Sequence, residues 1–174
     1  YAQRAYSPVL ISPYMDGEKV SVKAISDKAE AFEGRMEAFI MDFGGDILWN
    51  ETTGCRLQAD ESADLMSVDT ALLAGNRLLY VRILKDGVTV SENTFYTRFP
   101  KEYEYGCPEI SFEVQECAEG LELTVSSDRL ARGLYLFSDN ADDFFEDNYM
   151  DLLPGFPRKI TVRTGSTAEE FKTT

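Results

Sequence analysis

The chain has 174 residues, of which 31 are acidic and 17 basic, so its formal net charge is −14. This length allows one large domain or two small ones, and a hydrophobic content of 44% is enough to build a packed core. The acidic balance argues against nucleic acid and against an anionic membrane surface as partners, because both require a concentrated positive surface. The chain contains no histidine, which excludes imidazole acid–base catalysis and histidine-ligated metal sites.

The ends of the sequence and its three cysteines say less about the function of the protein than its composition does. The sequence starts at Tyr1 without a methionine, so we expect a piece of a longer polypeptide. We predict no cellular compartment for it. It contains no apolar run of membrane-spanning length. Cys55, Cys107 and Cys117 show no CxxC spacing, so a structural zinc site is not expected. We predict free thiols, with a Cys107–Cys117 disulfide as the alternative.

In chain order, the first part of the sequence consists of strand-like runs separated by turn dipeptides. Three pairs of runs each flank one dipeptide: 8–14 and 18–25 around Asp16-Gly17, 35–43 and 46–50 around Gly44-Gly45, and 78–85 and 88–99 around Asp86-Gly87. The last pair is the clearest hairpin, since Asp-Gly readily adopts the positive φ angles of a type I′ turn. Asp69, with Gly75 six positions later, predicts one capped helical turn over residues 70–74.

A linker and a second strand-rich region follow. Pro100 and Pro108 interrupt the strand pattern, which predicts a linker over residues 100–108. Strands at this spacing with no helices between them predict an all-β protein of two tandem immunoglobulin-like β-sandwich domains, residues 1–99 and 109–174. In the second region, apolar residues alternate with other residues in four runs: Ile110, Phe112 and Val114; Leu121, Leu123 and Val125; Leu134 and Leu136; Ile160 and Val162.

Residues 139–151 have the most unusual local composition, with six acids and no base. Clustered carboxylates suit a calcium ion, which makes Asp139, Asp142 and Asp143 candidate ligands. An EF-hand register fails, because Phe144 occupies the position that requires glycine. We therefore interpret the stretch as an acidic loop between strands. Its expected buried contacts are Phe144, Phe145, Tyr149 and Met150.

Trp49, the single tryptophan, is a candidate platform for stacking a sugar ring. Its place in a strand-like run also suits a core or domain-interface position. Glycoside hydrolysis needs two carboxyl groups about 5–9 Å apart, one of them with a raised pKa, and no acid here stands in a context that forces burial. Phosphate-binding loops and nucleophile elbows do not occur in the sequence. We assign no catalytic residue and no cofactor to the chain.

Two segments resemble a known family. Residues 131–136 (ARGLYL) and 147–155 (DNYMDLLPG) are similar to the closing β-sandwich of the β-mannosidases of glycoside hydrolase family 2. Residues 1–10 resemble the exit from the last helix of that family's catalytic barrel, and residues 99–110 resemble the linker between its last two sandwiches. The DNYMDLLPG segment is also similar to that of exo-β-glucosaminidases and β-galactosidases. Met150 stands where the family usually has an aromatic residue.

The resemblance implies a non-catalytic C-terminal region of a retaining exo-glycosidase. Its two catalytic glutamates would belong to a (β/α)₈ barrel of the same polypeptide, so no catalytic residue is carried over to this chain. The sandwiches would brace that barrel, their implied partner. Two alternatives remain: a carbohydrate-binding module that contacts sugar through Trp49, and an adhesion sandwich that binds calcium at residues 139–151.

Overall fold

The computed structural model describes residues 7–171. These residues divide into two compact units, an N-terminal unit of residues 7–42 and 46–104 and a C-terminal unit of residues 43–45 and 105–171. Both units are built almost entirely from antiparallel strands, which confirms the all-β prediction. Within residues 7–171, no helix is long and apolar enough to cross a membrane.

The N-terminal unit is a sandwich of two sheets. Its described strands are β1 (Val9–Asp16), β2 (Lys19–Ser26), β3 (Phe32–Asp42), β4 (Ile47–Leu57), β5 (Ser62–Asp69), β6 (Arg77–Lys85) and β7 (Val88–Phe95). One sheet has the order β1-β2-β5 and the other the order β4-β3-β6-β7. Inward-facing side chains from both sheets, such as Val22, Met36 and Val81, form one buried core.

All three hairpins expected from the turn dipeptides are present in this unit. Strand β1 pairs with β2, β3 with β4, and β6 with β7. Asp86 and Gly87 have φ angles of +52° and +82°, the two positive values that a type I′ turn requires. The helical turn is confirmed as a short 3₁₀ segment, Thr70–Leu73, and the Asp69 carboxylate accepts a hydrogen bond from the N–H of Ala71 at 2.8 Å.

The sequence pattern does not reveal the second half of β4 or the whole of β5. Both are edge strands of their sheets, and most of their side chains are exposed or half-buried. A strand with so few buried positions shows little hydrophobic alternation, which is the signal that sequence-based assignment depends on.

The C-terminal unit also has its own core. Its described elements are β8 (Ile110–Cys117), β9 (Gly120–Ser127), β10 (Ala131–Leu134), β11 (Phe144–Phe145), β12 (Met150–Leu152), β13 (Arg158–Arg163) and the helix α1 (Ala168–Phe171). A four-stranded sheet has the order β11-β13-β9-β8, and β10 pairs with β12. Leu123, Met150 and Val162 are central members of the core between them.

The expected strands of this unit are largely confirmed, with two corrections. Strand β10 ends at Leu134 and does not include Leu136. Residues 139–151, expected to be a loop, contain β11 and the start of β12. The two units separate between residues 104 and 105, inside the segment predicted as a linker, which also contains a 3₁₀ turn, Pro100–Glu102.

Candidate functional site

Trp49, the predicted sugar-stacking residue, lies on the edge strand β4 opposite Ile40 of β3. Its side chain is half-buried and packs against the core of the N-terminal unit. The contact with the core covers part of the ring that a sugar would need. This placement favours the core interpretation of Trp49 over the platform interpretation.

The three candidate calcium ligands lie between β10 and β11. Asp143 accepts hydrogen bonds from the Ser138 hydroxyl at 2.7 Å and from the Asn140 amide at 3.0 Å. Asp139 and Asp142 are exposed. Residues 7–171 contain no group of three or more acidic, cysteine or histidine side chains placed to hold a metal ion. Asp143 thus takes part in a local turn, and the described residues form no assembled cation site here.

The cysteines are free thiols in the structure. Cys55 is buried, and Cys107 and Cys117 are exposed and not joined to each other. Burial raises the pKa of the Cys55 thiol, so this side chain stays protonated near neutral pH and is a poor nucleophile.

A small depression of about 190 Å³ lies on the N-terminal unit, lined by Ser7, Thr89, Val90, Ser91 and Glu92. It is smaller than the usual small-molecule pocket of about 300–1,000 Å³. Its one ionisable side chain, Glu92, accepts a hydrogen bond from the Tyr80 hydroxyl at 2.5 Å. The depression therefore offers no pair of carboxyl groups for glycoside chemistry.

Three exposed aromatic side chains form a cluster on the C-terminal unit. Tyr135, Phe137 and Tyr149 are 54%, 72% and 64% exposed. The Tyr135 ring stacks with Phe137 at 6.3 Å between centroids and 17° between planes, and it lies 5.0 Å from the Tyr149 ring at 31°. Tyr135 thus contacts both other rings. We call these three side chains the aromatic row.

Backbone alternation turns the aromatic row outward. Leu134 and Leu136 pack against the core, and successive side chains of an extended chain face opposite sides, so Tyr135 and Phe137 face solvent. Tyr149 is also exposed, whereas the next residue, Met150, is fully buried. The expectation that Tyr149 is a buried contact is therefore wrong, and the expectation for Met150 is confirmed. The signal was present in the sequence as aromatic residues alternating with leucine over residues 134–137.

The expectation that Phe144 is a buried contact is also wrong, whereas the same expectation for Phe145 is partly confirmed. Phe144 is exposed, with the Arg163 guanidinium 5.9 Å from its ring centroid. Phe145, on the other side of the two-residue strand β11, is half-buried and packs against the core. The two side chains differ because neighbouring positions of a strand face opposite sides.

Hydrogen bonds from the DNYMDLLPG segment hold the aromatic row in place. The Asn148 amide donates to the carbonyl of Leu136 at 2.9 Å and accepts from the Leu136 N–H at 2.5 Å. The Asp151 carboxylate accepts from the Gly133 N–H at 2.9 Å. Tyr149 has a φ of +56°, an uncommon backbone conformation for a bulky residue. We call the two bonds from Asn148 to Leu136 the clamp; they fix the backbone between Tyr135 and Phe137.

The surroundings of the aromatic row are acidic. Asp143 accepts a hydrogen bond from the hydroxyl of Ser138, the residue after Phe137. Asp151 accepts one from the N–H of Gly133, two residues before Tyr135. Exposed rings in an acidic part of the chain suit contact with an apolar or a cationic group.

Comparison with known families identifies both halves of the chain. Residues 18–102 match the model of the Mannosidase Ig/CBM-like domain, and residues 107–174 match the model of an Ig-fold domain. No curated protein sequence matches the chain.

Solved structures agree with these matches. The β-D-mannosidase from Dictyoglomus thermophilum superposes with a TM-score of 0.89 at 20% identity, over 99% of this chain and 21% of that chain. The exo-chitosanase CsxA from Amycolatopsis orientalis superposes with a TM-score of 0.65 at 17% identity, over 92% of this chain and 24% of that chain. This chain thus spans less than a quarter of either protein, and the likeness is one of fold. Residues 18–102 of the chain therefore belong to the Mannosidase Ig/CBM-like domain family, and residues 107–174 belong to a family of Ig-fold domains.

Proposed function

We propose that this chain is the non-catalytic C-terminal accessory region of a β-mannosidase-like glycoside hydrolase of family 2. The observation that carries the proposal is the superposition of 99% of the chain on the D. thermophilum β-mannosidase with a TM-score of 0.89. The matches to a Mannosidase Ig/CBM-like domain and to an Ig-fold domain support it. The domain bounds 1–99 and 109–174 are part of this proposal.

The chemistry of the parent enzyme would lie outside this chain. A retaining glycosidase needs a nucleophilic carboxylate and a general acid whose pKa is raised. Among the described carboxyl groups, Asp128 and Glu170 have a displaced pKa. In both, hydrogen bonds from backbone N–H groups lower the pKa. Such carboxylates are poor proton donors. The two sandwiches would instead brace a catalytic barrel of the same polypeptide.

The test compares two proteins, the chain alone and the polypeptide that carries it together with its upstream sequence. We expect the longer polypeptide to hydrolyse an aryl β-mannoside and the chain alone to be inactive. Parallel assays with an aryl β-glucosaminide and an aryl β-galactoside decide the sugar. Comparable activity of the chain alone contradicts the accessory role, and a longer polypeptide active only on another sugar contradicts the mannosidase assignment.

A further inference from the structure

We propose that the edge strand β8 of the C-terminal unit pairs with β8 of a second copy of this chain. The two strands would run antiparallel about a two-fold axis at Phe112 and would join two four-stranded sheets into one. This interface goes beyond the accessory role proposed above and does not depend on it. Three features of β8 support it: its unpaired edge, its uncovered apolar side chains and its charge pattern.

The first feature is an edge whose backbone groups lack a neighbouring strand. Strand β8 pairs with β9 in a regular register, and among residues 7–171 no strand pairs with its other side. The Asp128 N–H donates to the carbonyl of Glu109 at 3.3 Å, so the odd-numbered positions of β8 direct their backbone groups toward β9. The even-numbered positions therefore direct an N–H and a C=O outward, which is a template for a further strand.

The second feature is apolar surface on the core face of β8. Directly opposed residues of neighbouring strands lie on one face of a sheet, so Phe112 and Val114 share the core face with their partners Val125 and Leu123. Val114 and both partners are buried, but Phe112 is 54% exposed. Ile110, on the same face, is 38% exposed. A second β8 alongside the first would cover these two side chains and remove apolar surface from water.

The third feature is the charge pattern, which specifies the pairing. The register centred on Phe112 opposes residues that match in character, each facing its counterpart in the second copy: Phe112 with Phe112, Ile110 with Val114, Ser111 with Glu113, and Glu109 with Gln115. Glu109 and Glu113 thus face an amide and a hydroxyl, which are able to donate a hydrogen bond to them. Apolar and hydrogen-bonded pairs across strands stabilise a sheet.

Other registers are disfavoured by the same side chains. A pairing centred on Ser111 places Glu109 opposite Glu113, and one centred on Glu113 places that residue opposite itself. Like charges directly opposite each other are destabilising. A pairing centred on Val114 leaves the Phe112 ring opposite a carboxylate. A two-fold interface must be self-complementary, and β8 meets this requirement in the Phe112 register, which favours a second copy as the occupant.

The net charge of the chain opposes this association. Each copy carries −14, so two copies repel each other, and salt screens the repulsion between exposed charges. One pair of edge strands is also smaller than the usual interface of a stable complex, about 1,200–2,000 Å². We therefore expect a weak dimer that salt strengthens, whereas an association held by surface ion pairs is weakened by salt.

The experiment measures the molar mass of the chain by sedimentation equilibrium at concentrations up to about 1 mM, in low salt and in about 0.5 M salt. We expect a reversible shift from 19.6 kDa toward twice that mass, with a smaller dissociation constant in the higher salt. A reducing agent keeps Cys107 and Cys117 as thiols, which prevents a disulfide-linked dimer. A chain that stays monomeric at every concentration overturns the proposal.

Charge substitutions at Ser111 test the register. Ser111→Glu places like charges opposite Glu113 twice in the dimer and should weaken association about tenfold, whereas Ser111→Lys creates two opposite-charge pairs and should strengthen it about tenfold. The double variant Ser111→Glu, Glu113→Lys restores opposite charges and should dimerise again. Thr89→Glu and Thr89→Lys change the net charge equally at an exposed position of β7 and should shift association far less.

Phe112→Ala removes the central apolar pair and should weaken the dimer, whereas Phe144→Ala removes another exposed aromatic of the same unit and should not. Thermal unfolding of every variant establishes that the fold is retained. Association that is unchanged in Ser111→Glu and Ser111→Lys assigns the dimer to another surface and overturns the proposal, as do equal effects at Thr89 and Ser111. None of these outcomes bears on the accessory role, which the aryl glycosides test.

Discussion

The side-chain amide of Asn148 joins two segments of the C-terminal unit that are twelve positions apart in the sequence. It satisfies both the N–H and the C=O of Leu136, whose backbone is not in a strand. The sequence does not predict this partner, because a hydrogen bond between two loops leaves no mark on local sequence patterns.

We expect Asn148→Ala to lower the free energy of unfolding by about 1–3 kcal/mol, because it leaves two part-buried backbone groups of Leu136 without their partner. Asn140→Ala is the matched control, since the Asn140 amide makes only exposed local bonds to Asp142 and Asp143, and it should lose less. Urea unfolding monitored by circular dichroism measures both. An unchanged unfolding midpoint for Asn148→Ala contradicts the role of the clamp.

Asp128 provides a pH-dependent contribution at the end of the β8–β9 ladder. Its carboxylate accepts a hydrogen bond from the Glu109 N–H at 2.7 Å, and this bond, with the nearby Arg129 guanidinium, holds the pKa of Asp128 below its ordinary value. A group whose pKa is lower in the folded state stabilises the fold above its unfolded pKa of about 3.9. That contribution is lost as the pH falls through the folded pKa.

We therefore expect Asp128→Asn to be less stable than the unaltered chain at neutral pH. The difference should narrow as the pH is lowered below about 4, where the aspartate itself becomes protonated. Urea unfolding at pH values on both sides of this range provides the measurement. A difference that stays constant down to the acid end would show that the charge of Asp128 contributes nothing.

At the scale of elements, the turn between β8 and β9 depends on Gly120. Its φ is +132°, and a Cβ at this position would collide with the carbonyl oxygen of Val162 in β13. The sequence does not predict that a third strand passes against this glycine, because β13 lies about forty positions away in the chain.

We expect Gly120→Ala to destabilise the chain by about 2 kcal/mol or more, from the clash with backbone that cannot easily move together with the unfavourable φ. Gly133→Ala is the matched control: its φ is +65°, but a Cβ there meets open space, so its cost should stay near the 1–2 kcal/mol of the φ angle alone. Chemical denaturation of both variants gives the comparison. Equal losses would mean that the approach of β13 carries no cost.

At the scale of the whole molecule, the acidic charge is the property with the widest consequences. The net charge of −14 excludes polyanionic partners, yet the described carboxylates do not gather into a metal site. A large number of carboxylates therefore does not by itself make a calcium site, since such a site needs oxygen ligands that converge on one point.

We expect the melting temperature of the chain to be the same in millimolar calcium and in a chelator. A ligand that binds only the folded state must raise stability, so an increase with calcium would contradict this expectation. The variant Asp139→Asn, Asp142→Asn would then decide the location. An increase that persists in this variant would place the ion elsewhere.

The sequence alone determined the strands with clear alternation, the three hairpins and the capped turn at Asp69, because each depends on residues close together in the chain. The resemblance of residues 131–136 and 147–155 also anticipated the type of domain that the family matches show. The second half of β4 and the whole of β5 were not predicted, since few of their side chains are buried.

Only the tertiary structure decided which side of each segment faces the core. Trp49 packs against the N-terminal core, whereas Tyr149, expected to be buried, joins Tyr135 and Phe137 in an exposed row. The physical reason is that burial depends on contacts between distant positions, such as the clamp from Asn148 to Leu136. The net charge of −14 follows from the sequence and argues against polyanionic partners, whereas the fold decides which acidic side chains reach the surface.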